Sequence, residues 1–166
     1  MASITQDQLT GFFSTFPDFG SSTTTRVLVN NLDRAEQERT ESYVSKLYLR
    51  SKFQEAEDNL KQLRNLSVNW DTYGAEPPQA ETVNGALNLL LHLEHRSFVP
   101  TRVVPSSEGG VAVFFMRGDH YADIEFLNTG EVLAVTYVGK AEPDVWEITG
   151  QPLEPAIERI QRHLTY

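Results

Sequence analysis

The chain has 166 residues, enough for one domain with a hydrophobic core, and its 40% hydrophobic and 22% charged residues are typical of a globular protein. It contains no cysteine, which excludes disulfides, thiolate metal sites and cysteine nucleophiles. The formal net charge is −9, and residues 67–166 carry −8 of it, because they hold six Lys and Arg against fourteen Asp and Glu. This charge disfavours direct binding to nucleic acid or an anionic membrane and favours a partner with a basic surface.

Residues 1–25 are predicted to be a flexible N-terminal arm, because they are rich in Ser, Thr and Gly. The arm also contains four phenylalanines, which is unusual for a disordered tail. Either the arm docks on its own domain, or it is a short linear motif that docks on another protein. Its candidate partner-binding residues are Phe12, Phe13 and Phe16.

Residues 26–166 are predicted to form a single domain that begins with a helix. Arg26–Val29 is either a short strand or the start of that helix, and the helical pattern runs from about residue 33 to residue 66. Between Leu49 and Leu63 the apolar residues recur at steps of four and three, which predicts one apolar stripe. The stripe either packs on its own domain or forms the seam of a homodimer through residues 49–63.

Residues 69–78 form a predicted turn between this helix and a second one at residues 81–93. An Asp in such a turn can accept hydrogen bonds from backbone amides, a Gly can adopt a positive φ, and aromatic residues can wedge between the helices and a sheet. A site for a cationic or sugar-like ligand is the alternative. We therefore expect a mainly structural role for the residues of this signature turn, which are Asn69, Trp70, Asp71, Tyr73 and Gly74.

From residue 99 onward the apolar pattern has a period of two, which predicts strands. The run Val111–Met116 is apolar on both faces, as in a central strand that is covered on each side. A helix at residues 152–164 closes the chain. We therefore predict an α+β fold in which N-terminal helices pack on an antiparallel β-meander of four to five strands. The predicted strands are 102–104, 111–116, 121–126, 131–138 and 145–148.

Asp123 and Glu125 are the candidate partner-binding residues of the sheet, because residues i and i+2 of a strand share one face. With Glu131, Asp144 and Glu147 they could also form rows of carboxylates, as in proteins that mimic DNA. A third interpretation adds His120 and makes the cluster a site for a divalent cation or for acid–base chemistry.

The signature turn, the segment 103–111 and the strand pair at 124–132 together resemble a family of small bacterial and phage-borne proteins. That family carries a signature close to Asn-Trp-Asp-Gly-Tyr-Gly-Ala and has no established biochemical activity. The similarity covers roughly residues 55–140, and Thr72 stands where the family signature has glycine. The resemblance implies a bacterial or phage setting.

These observations predict a non-enzymatic, acidic protein-interaction module without a metal or a cofactor. The resemblance implies an accessory, inhibitor or neutralising subunit of a defence, anti-defence or toxin–antitoxin-like system. No stretch has the roughly 18–20 apolar residues of a membrane span, so we expect no membrane partner and a cytoplasmic location in a bacterial host cell. One alternative is a small metal-dependent hydrolase or nuclease centred on His120, Asp123 and Glu125. Another is a structural protein that self-assembles through residues 49–63.

Overall fold

The structure, a computed structural model, describes the backbone of residues 23–165 and the side chains of residues 34–165. Two helices come first, five strands follow and a helix closes the chain, which confirms the predicted α+β fold. The elements are α1 (Thr23–Leu63), α2 (Ala80–His95), β1 (Arg102–Ser106), β2 (Gly110–Arg117), β3 (His120–Leu127), β4 (Val132–Val138), β5 (Asp144–Glu147) and α3 (Leu153–His163). Two compact units, Met1–Tyr43 and Val44–Tyr166, make up the chain.

Helix α1 begins earlier than predicted, at Thr23, so a strand at Arg26–Val29 is wrong. A short run of consecutive apolar residues does not distinguish a strand from a helical segment, because it shows neither the period of two of a strand nor the period of about 3.6 of a helix. The last three residues of the predicted arm, Thr23–Thr25, therefore belong to the helix. Phe12, Phe13 and Phe16 lie outside the described residues. None of the described helices has an apolar stretch long enough to cross a membrane.

The apolar stripe of α1 packs inside the second unit. Phe53, Ala56 and Leu60 are buried in its core, which confirms the prediction that the stripe packs on its own domain. A homodimer through residues 49–63 would involve these same side chains, and it stays a prediction. One turn upstream, Leu47 and Tyr48 are exposed.

The five strands form one antiparallel sheet in the order β1-β2-β3-β4-β5, so each strand pairs with its neighbour in the chain. Directly opposed residues share a face of the sheet. One such row points towards the helices and contributes to the core with side chains from all five strands: Val103, Val113, Ile124, Ala134 and Trp146. Helices α2 and α3 contact this face, and the buried residues of α2 and α3 complete the core.

Candidate functional site

The other face of the sheet is not covered by α1 from residue 44 onward, by α2 or by α3, because all three contribute to the core on the opposite side. None of the side chains on this face belongs to that core. We call it the open face. The face has four cross-strand rows. They are Arg102, Phe114, Asp123, Val135 and Val145, then Val104, Ala112, Glu125, Leu133 and Glu147, then Met116, Tyr121 and Tyr137, and finally Ser106, Gly110 and Leu127.

The open face is mainly apolar and aromatic. Its side chains pack against one another, since the rings of Tyr121 and Tyr137 stack with centroids 4.9 Å apart. The predicted cover on both sides of Val111–Met116 holds only in part on this face, where Ala112 is buried, Phe114 is half-buried and Met116 is 52% exposed. An uncovered apolar surface of this kind is typical of an interaction site.

Asp123 lies in the middle of the open face, directly opposite Phe114 on one side and Val135 on the other. Only 8% of the residue is exposed, and its carboxylate accepts no hydrogen bond from the described residues. Burial, and then repulsion from Glu125, raise the pKa of Asp123 to about 6. A carboxylate that is partly desolvated without a donor is destabilised, and a positive charge beside it would relieve that cost.

The open face carries more acid than base. Glu125 is half-buried beside Asp123, and Glu147 lies across Leu133 from Glu125. Among the described residues of this face, Arg102 is the only basic one. Its guanidinium lies over the ring of Phe114, 4.5 Å from the centroid. The arrangement can therefore accept a cation in an aromatic and aliphatic setting.

His120 lies on the covered side of the sheet, away from the two acids. It pairs with Val138 in the strand register, and its ring centroid is 5.0 Å from that of His163 in α3. The predicted cluster of His120 with Asp123 and Glu125 is therefore wrong, since residues three apart in a strand point to opposite faces. Among the described residues, no group of three His, Asp or Glu side chains could hold a metal ion.

The predicted rows of carboxylates do not form either. Asp144 points to the covered side, where it pairs with Arg159, and the Arg159 guanidinium lies 3.7 Å from the ring centroid of Trp146. Glu131 lies in the turn before β4 and accepts a hydrogen bond from Thr129. Of the five acids, only Asp123, Glu125 and Glu147 share the open face. They do not form a continuous acidic row, because the apolar side chain of Leu133 lies between Glu125 and Glu147.

Two side chains of the signature turn organise its backbone. The Asn69 side-chain oxygen accepts a hydrogen bond from the amide of Gly74 at 2.7 Å. One carboxylate oxygen of Asp71 accepts from the amides of Tyr73 at 2.8 Å and Ala75 at 3.1 Å. These backbone hydrogen bonds, that of Ala75 first, hold the pKa of Asp71 below its ordinary value. Both side chains are therefore occupied within the turn.

The two aromatic residues of the turn differ in environment. Trp70 is half-buried and its indole N–H donates to the carbonyl of Glu76 at 3.4 Å, whereas Tyr73 is 92% exposed. The predicted wedge between helices and sheet is therefore wrong for Tyr73. Gly74 has the predicted positive φ, 97°, and Thr72 has a φ of 68°. A β-branched residue is strained in that region, whereas glycine adopts it freely.

Asn128 holds the signature turn and α2 to the sheet, a role that the sequence did not reveal. Its side-chain oxygen accepts from the amide of Gln79 at 2.9 Å and the hydroxyl of Thr82 at 3.0 Å. Its amide nitrogen donates to the carbonyl of Pro77 at 3.0 Å. Gln79 makes no side-chain cap of its own, so Asn128 caps α2 from the β3–β4 turn.

Comparison of the chain with models of known protein families, with curated proteins and with solved structures finds no match. The resemblance to the bacterial and phage family therefore stays a prediction.

Proposed function

We propose that the chain is a non-enzymatic protein-interaction module that binds a basic surface of a protein partner through the open face. The observation that carries this proposal is Asp123, a nearly buried residue whose carboxylate has no hydrogen-bond donor among the described residues. It lies in the middle of an apolar surface that α2, α3 and α1 from residue 44 onward leave uncovered. A binding surface that combines apolar area with an unpaired charge gains both affinity and specificity from a complementary partner.

The charge of the chain also favours a protein partner over nucleic acids and anionic lipid membranes. The excess of acid in residues 67–166 repels phosphates of nucleic acids and anionic lipids. The resemblance to small bacterial and phage proteins favours an accessory, inhibitor or neutralising subunit of a defence, anti-defence or toxin–antitoxin-like system in the bacterial cytoplasm. Phe12, Phe13 and Phe16 of the N-terminal arm are the proposed second contact with the partner.

The proposal is tested by affinity capture from a lysate of the bacterial host, with the full-length tagged chain as bait. We expect the bait to capture one protein with a basic surface in a stoichiometric amount. The double variant with Asp123→Lys and Glu125→Lys should no longer capture this partner. The control combines Glu94→Lys with Glu142→Lys, which makes the same change in charge at two exposed residues outside the open face. The control should keep the partner. Equal capture by both double variants, or no capture by a folded bait, would refute the proposal.

A further inference from the structure

The Asp123 carboxylate has neither a hydrogen-bond donor nor an ion-pair partner among the described residues, and this indicates what kind of group the open face receives. We infer that the open face contains a binding site for one Lys or Arg side chain of a partner protein, in which Asp123 and Glu125 are the counter-ions. This inference rests on the proposed function and specifies the chemistry of the same surface. The apolar residues next to the acids, which are Phe114, Tyr121, Leu133 and Val135, would contact the aliphatic stem of that side chain.

The spacing of the two acids suits one cation. Residues i and i+2 of a strand are about 7 Å apart on the same face, so an ammonium or guanidinium group between their side chains reaches both carboxylates. A planar guanidinium can also stack on a neighbouring ring. The combination already occurs within the chain, where Arg159 pairs with Asp144 and lies over Trp146 on the covered side.

Other occupants of the open face fit less well. A second copy of the chain would place the three acids of one open face against those of another, with only Arg102 to compensate them. The N-terminal segment 1–22 contains no Lys or Arg, and it contributes Asp7 and Asp18. Both occupants would add more carboxylates than Lys or Arg side chains to the open face, so we assign the site to a separate basic protein.

Occupation of the site should depend on pH. A cation favours the ionised form of Asp123, so binding releases a proton wherever the free carboxyl group is protonated. Among the described residues, the other ionisable groups of this face are Arg102, Glu125, Glu147, Tyr121 and Tyr137. Neither α2 nor α3 adds a charged group there, because both pack on the opposite side.

The inference is tested with the full-length protein and a small cation, Nα-acetyl-arginine amide. The titration of the Asp123 carboxyl carbon is followed by NMR at constant ionic strength. A dissociation constant of about 50 mM would lower the apparent pKa by about half a unit at about 100 mM probe, by linkage. Nα-acetyl-citrulline amide, which has nearly the same shape but no charge, should leave it unchanged. Glu125→Gln should reduce the shift, and Glu142→Gln should not.

Two outcomes would overturn the inference: no shift with the arginine probe, or equal shifts with both probes. These outcomes are separable from failure of the proposed function. One possible result is that the chain captures a basic partner, that Asp123→Lys with Glu125→Lys abolishes the capture, and that the arginine probe causes no pKa shift. This result would support the open face as an interface and reject the single-cation site. If both double variants still capture the partner, the interface itself would be rejected.

Discussion

Replacing Asp123 by Asn should stabilise the free chain at neutral pH. The substitution keeps the shape of the side chain and removes its charge. The shift of the Asp123 pKa from 3.8 to about 6 is roughly two units, and each unit corresponds to about 1.4 kcal/mol. Solvent still reaches part of the carboxylate, so we reduce the resulting value and expect Asp123→Asn to add about 2 kcal/mol to the free energy of unfolding at pH 8.

The gain should depend on pH in a defined direction. The folded state holds the Asp123 proton more tightly than the unfolded state. The contribution of Asp123 to the free energy of unfolding of the unsubstituted chain is therefore highest below pH 4. It falls as the pH rises through about 6, the pKa in the folded chain. Asn does not titrate, so the difference between variant and parent should be small near pH 4 and largest above pH 7.

Urea unfolding of the parent and the variant at pH 4.5, 5.5, 6.5 and 8 measures this difference. All other ionisable groups are common to both proteins, so their contributions cancel in the comparison. Glu142→Gln, at an exposed loop residue, is the matched control and should change stability by less than about 0.5 kcal/mol at every pH. Equal stability of Asp123→Asn and parent at pH 8, or a difference independent of pH, would refute the reasoning.

Three further substitutions test other parts of the structure. Thr72→Gly should raise the free energy of unfolding by about 0.5–1 kcal/mol. The strain energy that is relieved at the positive φ exceeds the free-energy cost of the entropy that glycine adds to the unfolded chain. A lower urea midpoint would contradict this. Asn128→Ala should lower the free energy of unfolding by about 2–3 kcal/mol, because three hydrogen bonds are lost, two of them partly buried. A loss below about 1 kcal/mol would show that water replaces them. Combined replacement of Phe12, Phe13 and Phe16 by Ser should weaken capture of the partner without changing the urea midpoint; unchanged capture would reject the arm as a contact.

The sequence predicts elements well where a short pattern decides them. The alternation at residues 121–126 places Asp123 and Glu125 on one face, and β3 has them there. The apolar run Val111–Met116 is correctly a strand, but its two apolar faces predict a second cover that the described residues provide only in part. An apolar pattern shows that a surface favours contact, and it does not say whether the contact lies within the chain or on another molecule.

The remaining differences arise from contacts between distant residues. His120 is close to Asp123 in sequence, but the pleat of the strand sends their side chains to opposite sides of the sheet. Asn128 appears as an ordinary turn residue because its partners lie 46–51 residues earlier in the chain. Tyr73 illustrates the reverse error, because an aromatic residue in a turn was expected to be buried and is exposed.

The plain meander has a consequence for how fast the protein folds. Every strand pairs with its neighbour in the chain, so closing the sheet requires only short loops, and domains with local contacts fold quickly. The bonds from Asn128 to Pro77, Gln79 and Thr82 span much longer stretches and are expected to form after the transition state. Loss of these bonds should therefore accelerate unfolding and leave the refolding rate nearly unchanged, so that Asn128 determines the lifetime of the native state.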